Sequence, residues 1–199
     1  LLPFLPNGKP QHVKGFLTRF AINAKNASDL LNKIAALNIT MLGTDASLVL
    51  CYRDEYKQVL KEQRGDFTVL LAHEWLRQTL ESLPAQEERY LPVYQLFSHC
   101  TEKTALPSSE KEWQAIFEYF GLKLEAKSVG CCGMAGTYGH EKQHQQRSKG
   151  LYELSWQQPI DAGDSAYQLA TGFSCRSQVK RLGQKKLQHP IQALLKHTL

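Results

Sequence analysis

The residues of this chain with the clearest capacity for chemistry are its cysteines. Gly130-Cys131-Cys132-Gly133-Met134-Ala135-Gly136 sets two adjacent thiols between glycines. Neighbouring cysteines rarely bridge each other, because consecutive Cα atoms lie closer together than an ordinary disulfide requires. Two thiols on one bend can instead turn toward a third body, and glycines let the backbone take positive φ and approach that body closely. Cys100 lies upstream of the pair and Cys175 downstream, each where a strand gives way to a loop or helix. Four thiolates arriving from such positions are what a zinc ion or an iron–sulfur cluster requires. The competing reading is a set of buried, inert cysteines. That reading is preferred for Cys51 alone. For Cys100, Cys131, Cys132 and Cys175 together a metal site is preferred, because the glycine-flanked pair has no easy packing rationale.

These positions need elements to hold them. Short apolar runs at 39–43, 67–71, 93–97 and 165–170, with an alternating stretch at 122–125, read as strands. Between them lie helical patterns. Phe16, Leu17, Phe20 and Ala24 follow one helical face, and a second helix capped by Ser28 buries Leu30, Leu31, Ile34 and Leu37. Residues 45–47 form a turn and cap before a helix with Leu48, Val49, Tyr52 and Tyr56. Residues 73–83 are helical, and His73 reads as a structural histidine. Ser109 with Glu112 reads as a capping box ahead of Trp113, Ile116, Phe117 and Phe120. A helix starting at 134–138 would point its N-terminus at the thiolates, and its dipole would favour their charge. Residues 141–150 read as an exposed helix that continues to Trp156 and ends at Pro159; two more helices carry Val179 with Leu182, and Ile191 with Leu194 and Leu195. This alternation predicts an α/β fold with two Rossmann-like lobes and short, mostly parallel sheets. Strands whose carboxyl ends carry the interesting residues fit the usual place of sites in open α/β sheets.

The two halves can be overlaid. Residues 42–48 match residues 169–175 in a strand–turn–helix plan, with Leu48 in the position of Cys175, and Pro6-Asn7-Gly8 falls near the place of Cys131-Cys132-Gly133. The expectation is a degenerate first repeat at 1–86 and a second at 87–199 that carries the cysteine site. Leu48 should be buried where Cys175 sits in its own repeat. The opening strand of the first repeat would lie before residue 1, and a start that lacks Met reads as a cut inside a longer polypeptide.

Composition narrows the function classes. A chain of 199 residues with 42% hydrophobic residues can bury a real core. No apolar run is long enough to span a bilayer, and no secretory signal is visible. An odd cysteine count without a secreted-scaffold pattern fits a reducing compartment, so a cytoplasmic or membrane-peripheral location is expected. The net charge of +5 is modest, with Lys180-Arg181 and Lys185-Lys186 near the end. It reads as solvated surface or a face for an acidic partner rather than a nucleic-acid site, since no aromatic-interleaved basic motif is present.

Cys100, the 130–136 stretch, and Gly172-Phe173-Ser174-Cys175-Arg176-Ser177-Gln178 resemble the cysteine-rich CCG domain. That domain occurs in heterodisulfide reductase and in the iron–sulfur subunits of glycolate oxidase and anaerobic glycerol-3-phosphate dehydrogenase. The Asn7-Gly8-Lys9-Pro10 start and the 172–178 stretch are most similar to the C-terminal part of bacterial fused FAD-linked oxidases, a group that acts on D-2-hydroxyacids such as 2-hydroxyglutarate. The resemblance implies metal-ligand roles for Cys100, Cys131, Cys132 and Cys175. It implies an iron–sulfur cluster here, or zinc as the alternative, with FAD in the missing part of the parent chain. The implied partners are flavin and ferredoxin-type 4Fe-4S modules of that chain, with no nucleic acid and no transmembrane segment. The family's last element is often Cys-x-x-Cys, and Gly172 stands where its first cysteine would be, which argues against a five-thiolate centre. His99 and His140 are read as packing or supporting residues rather than ligands.

The leading expectation is an electron-transfer domain of an FAD-dependent D-2-hydroxyacid dehydrogenase, inactive alone because it has no Gly-x-Gly-x-x-Gly pattern. The alternative is a zinc-binding or metal-free docking module of the same oxidoreductase. A thiol–disulfide enzyme is disfavoured by the missing Cys-x-x-Cys.

Overall fold

The structure, a computed structural model, describes residues 5–81 and 83–198. The expectations placed on residues 1–4, 82 and 199 lie outside the described residues. The chain divides into two compact units, the first ending at Leu71 and the second beginning at Ala72.

The first unit runs α1 (Lys9–Val13), α2 (Leu17–Ala35), β1 (Met41–Gly43), α3 (Ala46–Arg53), α4 (Glu55–Leu60), a 3-10 turn and β2 (Val69–Leu71). The strands pair in parallel, Met41 opposite Val69 and Gly43 opposite Leu71. The two helices expected on either side of Ser28 are one. Phe20, Ala24, Ala27 and Leu31 form an unbroken buried stripe, and Ser28 is buried within the helix instead of capping a new one. Asp45 does cap α3, its carboxylate accepting the Leu48 N–H at 3.1 Å. Tyr56 lies on the separate helix α4.

The second unit runs α5 (Ala72–Leu80), β3 (Tyr94–Phe97), α6 (Cys100–Ala105), α7 (Ser109–Tyr119), β4 (Leu124–Ala126), α8 (Gln145–Ser155), α9 (Gln157–Ala162), β5 (Gln168–Ala170), α10 (Phe173–Leu182) and α11 (Pro190–Thr198). Its sheet has the order β4-β3-β5, all parallel, and Leu169 also bridges Gln188 in parallel. Alternation along the strands splits the core in two. Leu96 and Leu169 pack with Trp113, Ile116, Phe117 and Leu194. Phe97 and Ala170 face the other way, with Met134, Trp156, Ile160, Val179, Cys132 and Cys175.

Several local expectations are corrected. Ser109 is the first residue of α7 rather than its cap; Ser108 precedes it, and its hydroxyl donates to Glu112 at 2.8 Å. No helix starts at 134: residues 135–137 form a turn and a 3-10 turn follows over Tyr138–His140, because Ala135 and Gly136 take φ of 40° and 68°, which no right-handed helix accommodates. Helix α8 is not exposed throughout, since Ser148 and Tyr152 are buried. Pro159 sits in the first turn of α9, where its missing N–H costs nothing, and does not end a helix.

The strand–turn–helix plan recurs. A shift of 127 residues carries Met41–Gly43 onto Gln168–Ala170 and the first residue of α3 onto the first residue of α10. It also carries Leu48 onto Cys175, both third in their helices. Leu48 is only half-buried, however, and lines an apolar cleft of the first unit.

Candidate functional site

Each thiol of the second unit follows from its element. Cys100 opens α6 directly after β3. His99 caps that helix, its Nδ1 accepting the Thr101 N–H at 3.2 Å. Cys175 lies in the first turn of α10, directly beyond β5, where the free N–H groups carry positive partial charge.

The Cys131-Cys132 loop is fastened on both sides. Gly130 donates its N–H to Ser155 Oγ at 3.0 Å and accepts the Trp156 Nε1–H at 2.9 Å. Lys103 Nζ, from the helix that carries Cys100, donates to the Val129 carbonyl at 2.9 Å. Gly133 holds φ of 84°, and a Cβ there would sit 2.2 Å from the Ser148 carbonyl. Only glycine lets the loop lie this close to α8.

The structure brings Cys100, Cys131, Cys132 and Cys175 together. Cys131 neighbours both Cys100 and Cys132, and Cys132 neighbours Cys175, closely enough that each thiol influences the ionisation of the next. Cys132 and Cys175 face the core and are 3% and 1% exposed, whereas Cys100 and Cys131 are half-buried. The group therefore stands at the boundary of core and solvent. Its charge is concentrated on Cys131. Hydrogen bonds from Cys100 and Cys132, the Gly133 N–H at 3.4 Å and the nearby His99 hold that thiol well below the usual range. Cys132 is pushed up by its hydrogen bonds to Cys131 and Cys175 and by burial, partly offset by the Met134 N–H. Cys100 is pushed up by its hydrogen bond to Cys131, by burial and by the neighbouring sulfur charges. Two successive backbone N–H groups, of Gly133 and Met134, are aimed at the sulfurs of Cys131 and Cys132 respectively.

Among the described residues no group of three or more His, Cys, Asp or Glu is arranged around a point that a metal ion could take. The donor chemistry itself, four thiols with backbone N–H groups and a helix N-terminal turn, fits an anionic tetrathiolate centre. A fifth thiol does not fit. A Cβ on Gly172 would lie 2.3 Å from His99 Cδ2 and 3.1 Å from Cys175 Sγ, so the imidazole already fills that space.

His99 takes the supporting role read for it from the sequence. Its N–H donates to Thr171 Oγ1 at 2.9 Å, and its Nε2 lies 3.3 Å from Ser174 Oγ. One residue so ties the start of α6 to the turn that carries Cys175. Its place directly before Cys100 was the only signal. His140 is exposed in a 3-10 turn. Cys51 is buried in the first unit, where burial, followed by the nearby Glu55, pushes its thiol up to about 12. The late basic cluster is partly internal. Lys185 donates to the Gly163 carbonyl at 2.9 Å just past α9, and Arg181 donates to Gly139 and to the Gln178 side chain.

The chain is 57% identical over 195 residues to a D-2-hydroxyglutarate dehydrogenase of Escherichia coli (strain K12), covering 98% of this chain and 19% of that protein. A D-2-hydroxyglutarate dehydrogenase of Haemophilus influenzae is 53% identical over 203 residues, 98% of this chain and 20% of that protein. A subunit of the anaerobic glycerol-3-phosphate dehydrogenase of Escherichia coli (strain K12) is 24% identical over 195 residues, 94% of this chain and 48% of that subunit. No family model and no solved structure matches the chain. The first two relatives are about five times as long as the matched segment.

Proposed function

For a chain homologous over 98% of its length to a segment of D-2-hydroxyglutarate dehydrogenases, we propose the role of a cysteine-rich electron-transfer domain. It would serve a flavin-dependent D-2-hydroxyacid dehydrogenase. The observation that carries this reading is the contact of four thiols from three separate segments, anchored by backbone N–H groups. A buried set of inert cysteines has no need of such donors, and a thiolate does.

Cys100, Cys131, Cys132 and Cys175 would hold an iron–sulfur cluster, which when bound supplies one-electron transfer without protein rearrangement. The chain's own contributions are positional and electrostatic. Gly133 and Met134 direct N–H groups at Cys131 and Cys132 and offset sulfur charge. Thr101 does the same for Cys100. Core packing around Cys132 and Cys175 keeps water from two of the four sulfurs. The half-buried Cys100 and Cys131 face the side from which an electron donor can approach. The hydroxyacid and flavin sites of the parent activity would lie in the four fifths of the relatives' length outside this chain.

The test is redox titration of the protein purified without oxygen. A reversible, one-electron bleaching of visible absorption that disappears in Cys132→Ser is expected. A colourless protein that accepts no electrons, though metal-loaded, would overturn the proposal.

A further inference from the structure

We propose that Glu102 is a positioning residue: its carboxylate, buried against α5 and α7, sets the rotation of α6 and so turns Cys100 toward the other three sulfurs. The placement rests on geometry alone, and its purpose rests on the electron-transfer reading.

Helix α6 has little of its own to hold it in place. It is six residues long, Cys-Thr-Glu-Lys-Thr-Ala, with no large apolar side chain. A helix this short is not stable alone in water and is normally held by packing of an apolar face. Here Thr101, Thr104 and Ala105 are exposed, and the one buried residue of the helix is Glu102, 2% exposed. Burying a carboxylate is costly unless hydrogen-bond donors and opposite charge receive it. Trp113 of α7 donates its Nε1–H to Glu102 Oε1 at 3.3 Å, and His73 of α5 holds Nδ1 3.8 Å from the same oxygen. His73 is buried too. Its Nε2 lies 3.4 Å from Glu112 Oε2 on α7, and its ring centroid lies 5.4 Å from that of Trp113. The site that receives Glu102 is therefore built by two other helices, independently of α6.

Residues two apart on a helix do not share a face. Drawing Glu102 inward to Trp113 and His73 thus turns Cys100 away from them, to the side where it neighbours Cys131. A hydrogen bond is directional, so it fixes this rotation where an apolar side chain would leave it loose. The other ties of α6 leave its inward face undecided: His99 caps its start, and Lys103 reaches out to the Val129 carbonyl. The remaining thiols have firmer supports. Cys131 and Cys132 sit on the loop fastened to Ser155 and Trp156, and Cys175 belongs to the ten-residue α10, which also buries Gln178 and Val179. Cys100 is the thiol whose position depends on a short helix, and Glu102 is what seats that helix.

The test is made on the reduced 199-residue chain as purified. Its readouts are alkylation of Cys100 by iodoacetamide and hydrogen exchange at the Lys103 and Leu106 amides, which donate to the His99 and Glu102 carbonyls at 3.0 and 2.8 Å. Glu102→Leu should speed both about tenfold, while leaving exchange in α10 and alkylation of Cys51 unchanged. Glu102→Gln, whose amide oxygen still accepts from Trp113, should return both to within about twofold of wild type. Trp113→Phe keeps an aromatic ring and removes the donor; it serves as the second variant where Glu102→Leu fails to fold, and should speed both about threefold. Wild-type rates in Glu102→Leu or in Trp113→Phe would overturn the proposal, and so would a Glu102→Gln protein that behaves like Glu102→Leu. Neither readout depends on bound metal, so iron-free protein would sink the electron-transfer reading and leave this one standing.

Discussion

What separates the five cysteines is the company each keeps. Cys51 has only burial and nearby charges, and its thiol is pushed up to about 12. It should therefore stay protonated in the folded chain while an unfolded thiol ionises near 9. Its contribution to stability is fully present below that unfolded value and is lost as pH rises toward 12. Relative to Cys51→Ala, the wild type should lose up to roughly 1 kcal/mol per pH unit across that window, as urea melts would register. Parallel pH profiles of the two proteins would contradict the assignment. Cys131 and Cys132 sit among sulfurs and N–H donors, so Cys131→Ser or Cys132→Ser should remove most bound metal, whereas Cys51→Ala should keep it, as elemental analysis would record. The cysteines were legible in the sequence because residue type and glycine flanks announce them. His99 filling the space over Gly172, and the N–H groups of Gly133 and Met134, were not. Where a ring or an N–H points depends on dihedral angles and on neighbours distant in sequence.

Among the elements, the loop between β4 and α8 carries the most information. Gly133 and Gly136 both have positive φ, but only Gly133 meets another backbone, the Ser148 carbonyl 2.2 Å from a would-be Cβ; Gly136 has nothing within 4 Å. Gly136→Ala should cost about 1 kcal/mol, the ordinary left-handed penalty. Gly133→Ala adds a collision with helix α8 to that penalty and should cost more than about 3 kcal/mol. Equal costs in denaturant melts would mean that the loop is not seated on α8. Parallel strands separated by helices were legible from the alternation of apolar runs. Boundaries were less so, because strands of three residues carry too little pattern. A buried serine such as Ser28 also imitates a cap until the helix on both sides of it packs as one stripe.

For the whole molecule, the chain spans about a fifth of the length of the D-2-hydroxyglutarate dehydrogenases it matches. No helix among the described residues is long and apolar enough to cross a membrane. On the proposed division of labour, the 199-residue chain should accept electrons but should not reduce a dye when given D-2-hydroxyglutarate. Steady turnover would move the substrate site into this chain. Whether the four neighbouring thiols hold a redox-active cluster is read most directly from the iron, acid-labile sulfide and zinc content of protein purified without oxygen. Iron and sulfide in equal amounts with visible absorption are expected, both lost in Cys131→Ser and kept in Cys51→Ala. Zinc alone, or iron that persists in Cys131→Ser, would contradict it.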